Sequence, residues 1–435
     1  MEVREPSAKY LARAAYKQTD VGMIPEGWEV GSLVNFWSVT DCKHVTAQFV
    51  RSGYPLASIK EVQSRFVDLT NAKHTTLRVY NVLIEGGRKP RAGDLIVSRN
   101  ATVGEVAQVA EWHPPFAMGQ DVVLLRKRMP EFSTRFLQAV FRSSVIASQL
   151  SDLMVGSTFK RANVKQIKSF VVPMPPASEQ QDIAEALSDA DTLIEALEQL
   201  LAKKRQIKQG AMQELLTGQR RLPGFTGEWD VKPMGELFEF SGGLTASRDQ
   251  LGEDGYCYLH YGDIHMSSKT YLDVRAEFHE IPKLKIPLKQ VGRASLLSDG
   301  DVVFVDASED DEGTSKHMVV VNPDGVAFIS GLHTIVAKGK AGELDNGYKR
   351  YCFQTEAVKT QFRYFAVGTK VSGVSKTNIA KIDIAVPSIE EQTAIAAVLS
   401  DMDADIAAIE VKLAKARQIK QGMMQELLTG RIRLV

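Results

Sequence analysis

Apolar residues recur at 4-3-4-3-4 spacing through Ile183, Leu187, Ala190, Ile194, Leu197 and Leu201. That is the stripe one long helix buries against another in a coiled coil. The same register returns at Ile395, Leu399, Met402, Ile406, Ile409 and Leu413. Pro175 and Pro387 precede the two runs, and Gly218 and Gly430 follow them, where a left-handed residue ends a helix. Each run predicts one helix, and Glu179 to Thr217 would measure about 58 Å. Gly210 and Gly422 lie inside these helices at about 1 kcal/mol each relative to alanine, which predicts a bend or a close backbone approach. Elsewhere the apolar runs are short: LIVSRN after Gly93-Asp94 and VVFVDA after Gly300-Asp301 predict β-strands.

The two helical runs are copies. Residues 188–218 and 400–430 align without a gap at an offset of 212, with 22 of 31 positions identical. Twice that offset nearly exhausts the 435 residues, so the chain reads as a tandem duplication. Weaker echoes extend this: Gly27-Trp28-Glu29-Val30 with Glu228-Trp229-Asp230-Val231, and Asn163-Val164 with Asn378-Ile379. The bodies diverge while the tails match. The expected organisation is a first body over 1–172 (1–22 an N-terminal extension), a helix over 173–222, a second body over 223–386 and a helix over 387–435. The fold class expected is mixed α/β of the α+β kind, with two β-rich bodies joined by two long helices.

Charge orients the helices. Seven acids from Glu179 to Glu198 precede Lys203, Lys204, Arg205 and Lys208, and the second tail repeats the order before Lys412, Lys415, Arg417 and Lys420. Antiparallel pairing sets each acidic half beside a basic half, whereas parallel pairing opposes like charges. The chain would then be pseudo-twofold and nearly circular. Over the whole chain 53 bases balance 53 acids, yet residues 1–172 carry 23 bases against 15 acids and residues 223–386 carry 18 against 23. The first body has the sign for touching phosphate, and the second does not. Three widely spaced cysteines exclude a disulfide framework and fit a reducing cytoplasm. No run approaches the ~20 apolar residues of a membrane span, and the N-terminus lacks the apolar core of a secretory signal.

Catalytic motifs are mostly missing. His113-Pro114-Pro115-Phe116 lacks the Asn or Asp that opens an amino-methyltransferase turn and reads as a loop. Gly368 and Gly373 have phosphate-loop spacing, but Val374-Ser375 stand where Lys and a hydroxyl are needed. No clustered His/Cys set suggests a metal. The dense acidic run from Asp306 through Glu309, Asp310, Asp311 and Glu312 leaves three readings open: a solvated loop, a divalent-metal nuclease site, or acceptors for a cytosine amino group.

At the tail motifs Gln213–Gly218 and Gln425–Gly430, the chain resembles the DNA-specificity subunit of a type I restriction–modification system. Also similar are the approaches Pro175-Pro176 to Glu179-Gln180 and Pro387 to Gln392, the opening Ile24–Val30, Ser98-Arg99-Asn100, and Gly331–Val336. The resemblance implies that each body is a target recognition domain reading half of a bipartite DNA site, with the paired helices as spacer. It implies two methyltransferase subunits as partners, and possible restriction (motor–nuclease) subunits. The chain itself would be non-catalytic and hold no cofactor. S-adenosylmethionine would belong to the methyltransferase, and ATP and Mg to the motor–nuclease.

On that reading the candidate DNA contacts in the first body are Arg88, Lys89, Arg91, Ser98, Arg99, Asn100, Thr102, Thr158, Lys160 and Arg161. Arg99 would pair bidentately with guanine and Asn100 with adenine. In the second body they are His260, Lys269, Lys316, His317, Lys370, Ser372, Ser375 and Lys376. Rivals from other classes are a standalone nuclease using the 306–312 acids and a coiled-coil DNA-binding scaffold without a methyltransferase.

Overall fold

The structure is a computed structural model, and it describes residues 15–100, 102–154, 161–308, 315–368 and 372–434. The chain divides into two compact units, Met1–Glu198 with Val411–Val435, and Gln199–Glu410. Two helices of 39 residues, Ala177–Leu215 and Ile389–Leu427, run without interruption, and each contributes one part to either unit. Among the described residues no helix is long and apolar enough to cross a membrane.

In the first unit an antiparallel sheet runs in the order Trp37–Asp41, Val122–Lys127, Leu95–Ser98, Val106–Gln108. A smaller sheet carries Tyr54–Ala57, and Val171–Met174 pairs with Glu29–Ser32 at the foot of the long helix. The second unit repeats this plan: Phe238–Gly242, Thr334–Gly339, Val302–Val305, His317–Val321 and Tyr271–Asp273 form the larger sheet. Tyr256–Leu259 lies in its smaller sheet, and Asp230–Pro233 pairs with Asp383–Val386. Neither sheet closes into a barrel. The central strands read VVLL and VVFV, and every residue of these stretches is buried, as expected where both faces of a sheet are covered. The α+β class expected from the sequence is the one observed.

The helical stripe has two duties. Ile183 and Leu187 belong to the core of the first unit, and Ile395 and Leu399 to the core of the second. Further along, Leu201, Ile409 and Leu413 are buried, and Ile194, Leu197, Met402 and Ile406 are half-buried. Ion pairs give the direction. In the first unit Lys420 binds Asp191 and Arg417 reaches Glu198 at 2.6 Å. In the second Lys208 reaches Asp403 at 2.5 Å and Arg205 reaches Glu410 at 2.6 Å. Numbers rise on one segment as they fall on the other, so the segments pair antiparallel in each unit. The two arginine pairs are exposed and contribute about 1 kcal/mol or less each, while the two lysine pairs are half-buried. They choose the direction of pairing more than they stabilise it.

A buried carboxylate ties each helix start to its unit. The Glu179 side chain, 2% exposed, accepts from Trp28 Nε1 at 2.9 Å and from Arg433 Nε and Nη2 at 2.8 and 2.7 Å. Glu391, also 2% exposed, accepts from Trp229 Nε1 at 3.0 Å and from Arg221 at 2.5 and 2.6 Å. The next residue repeats the theme. Gln180 joins Ser133 N to the Pro175 carbonyl, and Gln392 joins Asp345 N to the Pro387 carbonyl.

At Gly210 and Gly422 no close approach by a neighbouring segment is found among the described residues. The helices pass through them unbroken, and a Cβ built at either meets open space rather than a close neighbour. Gly210→Ala and Gly422→Ala are therefore expected to raise stability by about 1 kcal/mol each, the intrinsic helix preference. Urea unfolding of the two variants checks this, and a loss of stability would contradict it.

Candidate nucleic-acid interface

The same backbone frame stands at the end of a central strand in both units. In the first, Gly119 N donates to the Ala57 carbonyl at 2.8 Å, which brings the chain against the smaller sheet. A Cβ at Gly119 would lie 2.0 Å from Ser58 Oγ, so any larger residue would have to displace that hydroxyl. Two residues on, Asp121 adopts a left-handed backbone, φ 61°, before the strand Val122–Lys127 begins. Its carbonyl accepts from Arg99 N at 3.0 Å, and the Arg99 carbonyl accepts from Ala162 N at 2.9 Å. In the second unit Gly331 N donates to the Leu259 carbonyl at 2.9 Å, and a Cβ there would sit 2.6 Å from that oxygen. His333 is left-handed at φ 57°; its carbonyl accepts from Asp306 N at 3.2 Å, and the Asp306 carbonyl from Val374 N at 2.8 Å. Asp121 and His333 are one repeat offset apart, 212 residues.

On this shared frame the side chains differ. In the first unit the Asp121 carboxylate accepts from Arg161 Nη2 at 2.9 Å and from Asn100 Nδ2 at 3.3 Å. The Arg161 side chain remains 52% exposed. In the second unit Asp306 occupies the place of Arg99, with its Oδ1 3.4 Å from His333 Nδ1. His333 meets Tyr261 edge to face with centroids 5.5 Å apart, and Tyr261 tilts against His260 at 4.6 Å. His260 caps the short helix Tyr261–Met266 by accepting from Gly262 N at 3.1 Å. Burial, and then the neighbouring Arg248 guanidinium, hold the His260 imidazole below its ordinary pKa. Arg248 in turn binds Asp263 at 2.6 Å.

Three sequence-expected contacts are corrected. Ser98 is fully buried at a strand end and donates to the Asn100 carbonyl. Arg99 is buried, with its guanidinium 3.3 Å from Asp41, so it does not present a fork to guanine. His317 lies inside the second unit between Phe304 and Phe353, with centroids 5.7 and 5.1 Å away. The others vary. Arg88 donates to the Asp41 and Glu85 carbonyls, while Lys89, Arg91 and Thr102 are exposed. Lys269 binds Glu277 at 2.9 Å, and Lys316 donates to the His265 carbonyl. Ser372 pairs in a two-residue strand with Ser308, Ser375 caps the helix Lys376–Ile379, and Lys376 is exposed. Thr158, Lys160, Lys370 and the acids 309–312 lie outside the described residues.

The left-handed pair was missed because only Gly331–Val336 stood out by resemblance. Gly119-Gln120-Asp121, one offset earlier, was the available signal. His113 is committed to structure: Nδ1 accepts from Ala110 N at 2.8 Å, and Nε2 lies 2.8 Å from the Val67 carbonyl. Among the described residues one trio could face a metal, Asp41, Cys42 and His44. Arg99 already occupies Asp41, and burial raises the Cys42 pKa, with Asp41 adding to it. A protonated thiol beside a guanidinium opposes cation binding.

Comparison with known proteins matches this doubled plan. The model of the type I restriction modification DNA specificity domain matches residues 25–209 and again 226–418. A putative type I restriction enzyme MjaX specificity subunit from Methanocaldococcus jannaschii is 24% identical over 453 residues, spanning 96% of this chain and 97% of that protein. The type I restriction enzyme MjaVIII specificity subunit of the same organism is 22% identical, with 94% of each chain covered. Among solved structures, the type I restriction–modification S subunit from M. genitalium has the same fold, with a TM-score of 0.58, 14% identity, and coverage of 92% of this chain and 96% of that one. With two matches that together take in most of its length, the chain belongs to the type I restriction–modification DNA specificity family.

Proposed function

We propose that the protein is the non-catalytic specificity subunit of a type I restriction–modification complex. It recognises a bipartite DNA sequence, one half-site per body, and directs adenine methylation and cleavage of unmodified DNA by its partners. The observation that carries this reading is the doubled DNA specificity domain, in which one backbone frame displays different side chains. A duplicated reader with unlike heads suits an asymmetric site, and the matched tails suit two equivalent partners. Two methyltransferase subunits would dock, bringing S-adenosylmethionine with them, and a motor–nuclease would bring ATP and Mg. The long helices are the natural element to set the unread spacer, and the setting is the cytoplasm, where the DNA is.

The test is sequencing of methylated adenines in a host carrying this chain with its methyltransferase. The expected result is one bipartite motif with two dissimilar halves, lost when the chain is omitted. Methylation at an undivided site, or unchanged without this chain, would refute the reading. Because residues 223–386 are net acidic, the isolated chain is expected to bind DNA weakly and with steep salt dependence, the partners neutralising further phosphates.

A further inference from the structure

We infer that Asp121 and His333 determine which bases the two half-sites accept, Asp121 by positioning Arg161 and His333 by direct contact together with Asp306. The inference rests on the DNA-recognition reading and adds to it the residues and base classes.

Among the described residues these are the only non-glycine positions with a left-handed backbone. Such strain persists where the surroundings over-determine it, commonly at functional sites. Glycine would relieve it at both places. Instead the two units keep polar side chains there, and they keep different ones. The surrounding hydrogen bonds are the same in both units, from the glycine anchored on the smaller sheet to the strand-end residue and the returning segment. The frame is therefore constant and its display variable, the arrangement that two readers of unlike half-sites require.

The displayed chemistry also separates them. In the first unit Asp121 fixes the exposed Arg161 guanidinium beside the Asn100 amide. A guanidinium fork donates to guanine O6 and N7, and an amide pairs with adenine N6 and N7. This half-site is assigned purine contacts on one strand. In the second unit the His333 ring is 51% exposed and the Asp306 carboxylate 34% exposed. The carboxylate accepts from a cytosine amino group, and the imidazole can donate to guanine, so this half-site is assigned a C·G pair. The first unit thus displays the Arg161 cation and the second the Asp306 carboxylate, opposite charges on the same frame.

The test is Asp121→Asn and His333→Asn, made singly in the full chain expressed with its methyltransferase. Asparagine tolerates the left-handed backbone, so the frame is kept. Sequencing of methylated adenines should show each variant relaxing or shifting base choice in one half-site only. The loss of discrimination expected is roughly tenfold or more at the affected pair, with the other half-site and the spacer unchanged. Asp121→Gly and His333→Gly, which relieve backbone strain, should relax the same half-sites. An unaltered motif in all four variants would overturn the inference, as would an even fall in methylation at every site with the motif intact. If the unsubstituted chain directs no bipartite motif, the proposed function fails rather than this assignment.

Discussion

Arg433→Ala is expected to lower the unfolding free energy of the first unit by about 3 kcal/mol, because it strands a buried carboxylate. Glu179 is 2% exposed and relies on two Arg433 hydrogen bonds and one from Trp28. Removing the arginine leaves one neutral donor for a full charge. Arg433 is itself 26% exposed, so water enters part of the space and the effect falls at the low end for broken buried pairs. Adding Glu179→Gln should recover part of the loss, since glutamine keeps an acceptor for the Trp28 indole and removes the charge. Arg221→Ala should act in the same direction on the second unit through Glu391. Guanidinium titration of the single and double variants measures this. A cost below 1 kcal/mol for Arg433→Ala, or no recovery in the double variant, would show that the contact is incidental.

His317 makes the second unit acid-sensitive. Burial pushes its imidazole down to about 4, against about 6.5 in an unfolded chain. Between those values the unfolded chain holds a proton that the folded chain refuses, so stability falls as pH drops from 6.5 towards 4 and is flat on either side. One such group contributes about 2 kcal/mol of loss between pH 7 and pH 5. His317→Phe keeps a ring among Phe304 and Phe353 and removes the titration. The expected outcome is that the unsubstituted protein loses about 2 kcal/mol more than the variant over that range. Parallel losses in urea unfolding at the two pH values would exclude this role for His317.

Duplication, long helices and their antiparallel sense were all legible in the sequence. Each rests on local information: an apolar stripe at heptad spacing, proline and glycine at the ends, acids before bases along one helix. The ion pairs Lys208 to Asp403 and Lys420 to Asp191 are that charge order realised. Helix propensity and axial charge need only neighbouring residues to be defined, so one chain written out is enough to read them.

Tertiary structure alone decided which polar residues face outward and which are spent inside. Ser98 and His317 look like loop or groove residues in a list, yet both lie at covered ends of central strands, where register sets the face of every side chain. Glu179 reads as an ordinary acid at a helix start until Trp28 and Arg433 close on it from 151 and 254 positions away. Asp121 and His333 become visible as a pair only through their backbone angles and shared hydrogen bonds. Burial, register and distant pairing depend on which remote segments meet, and that is a property of the folded chain rather than of any stretch of it.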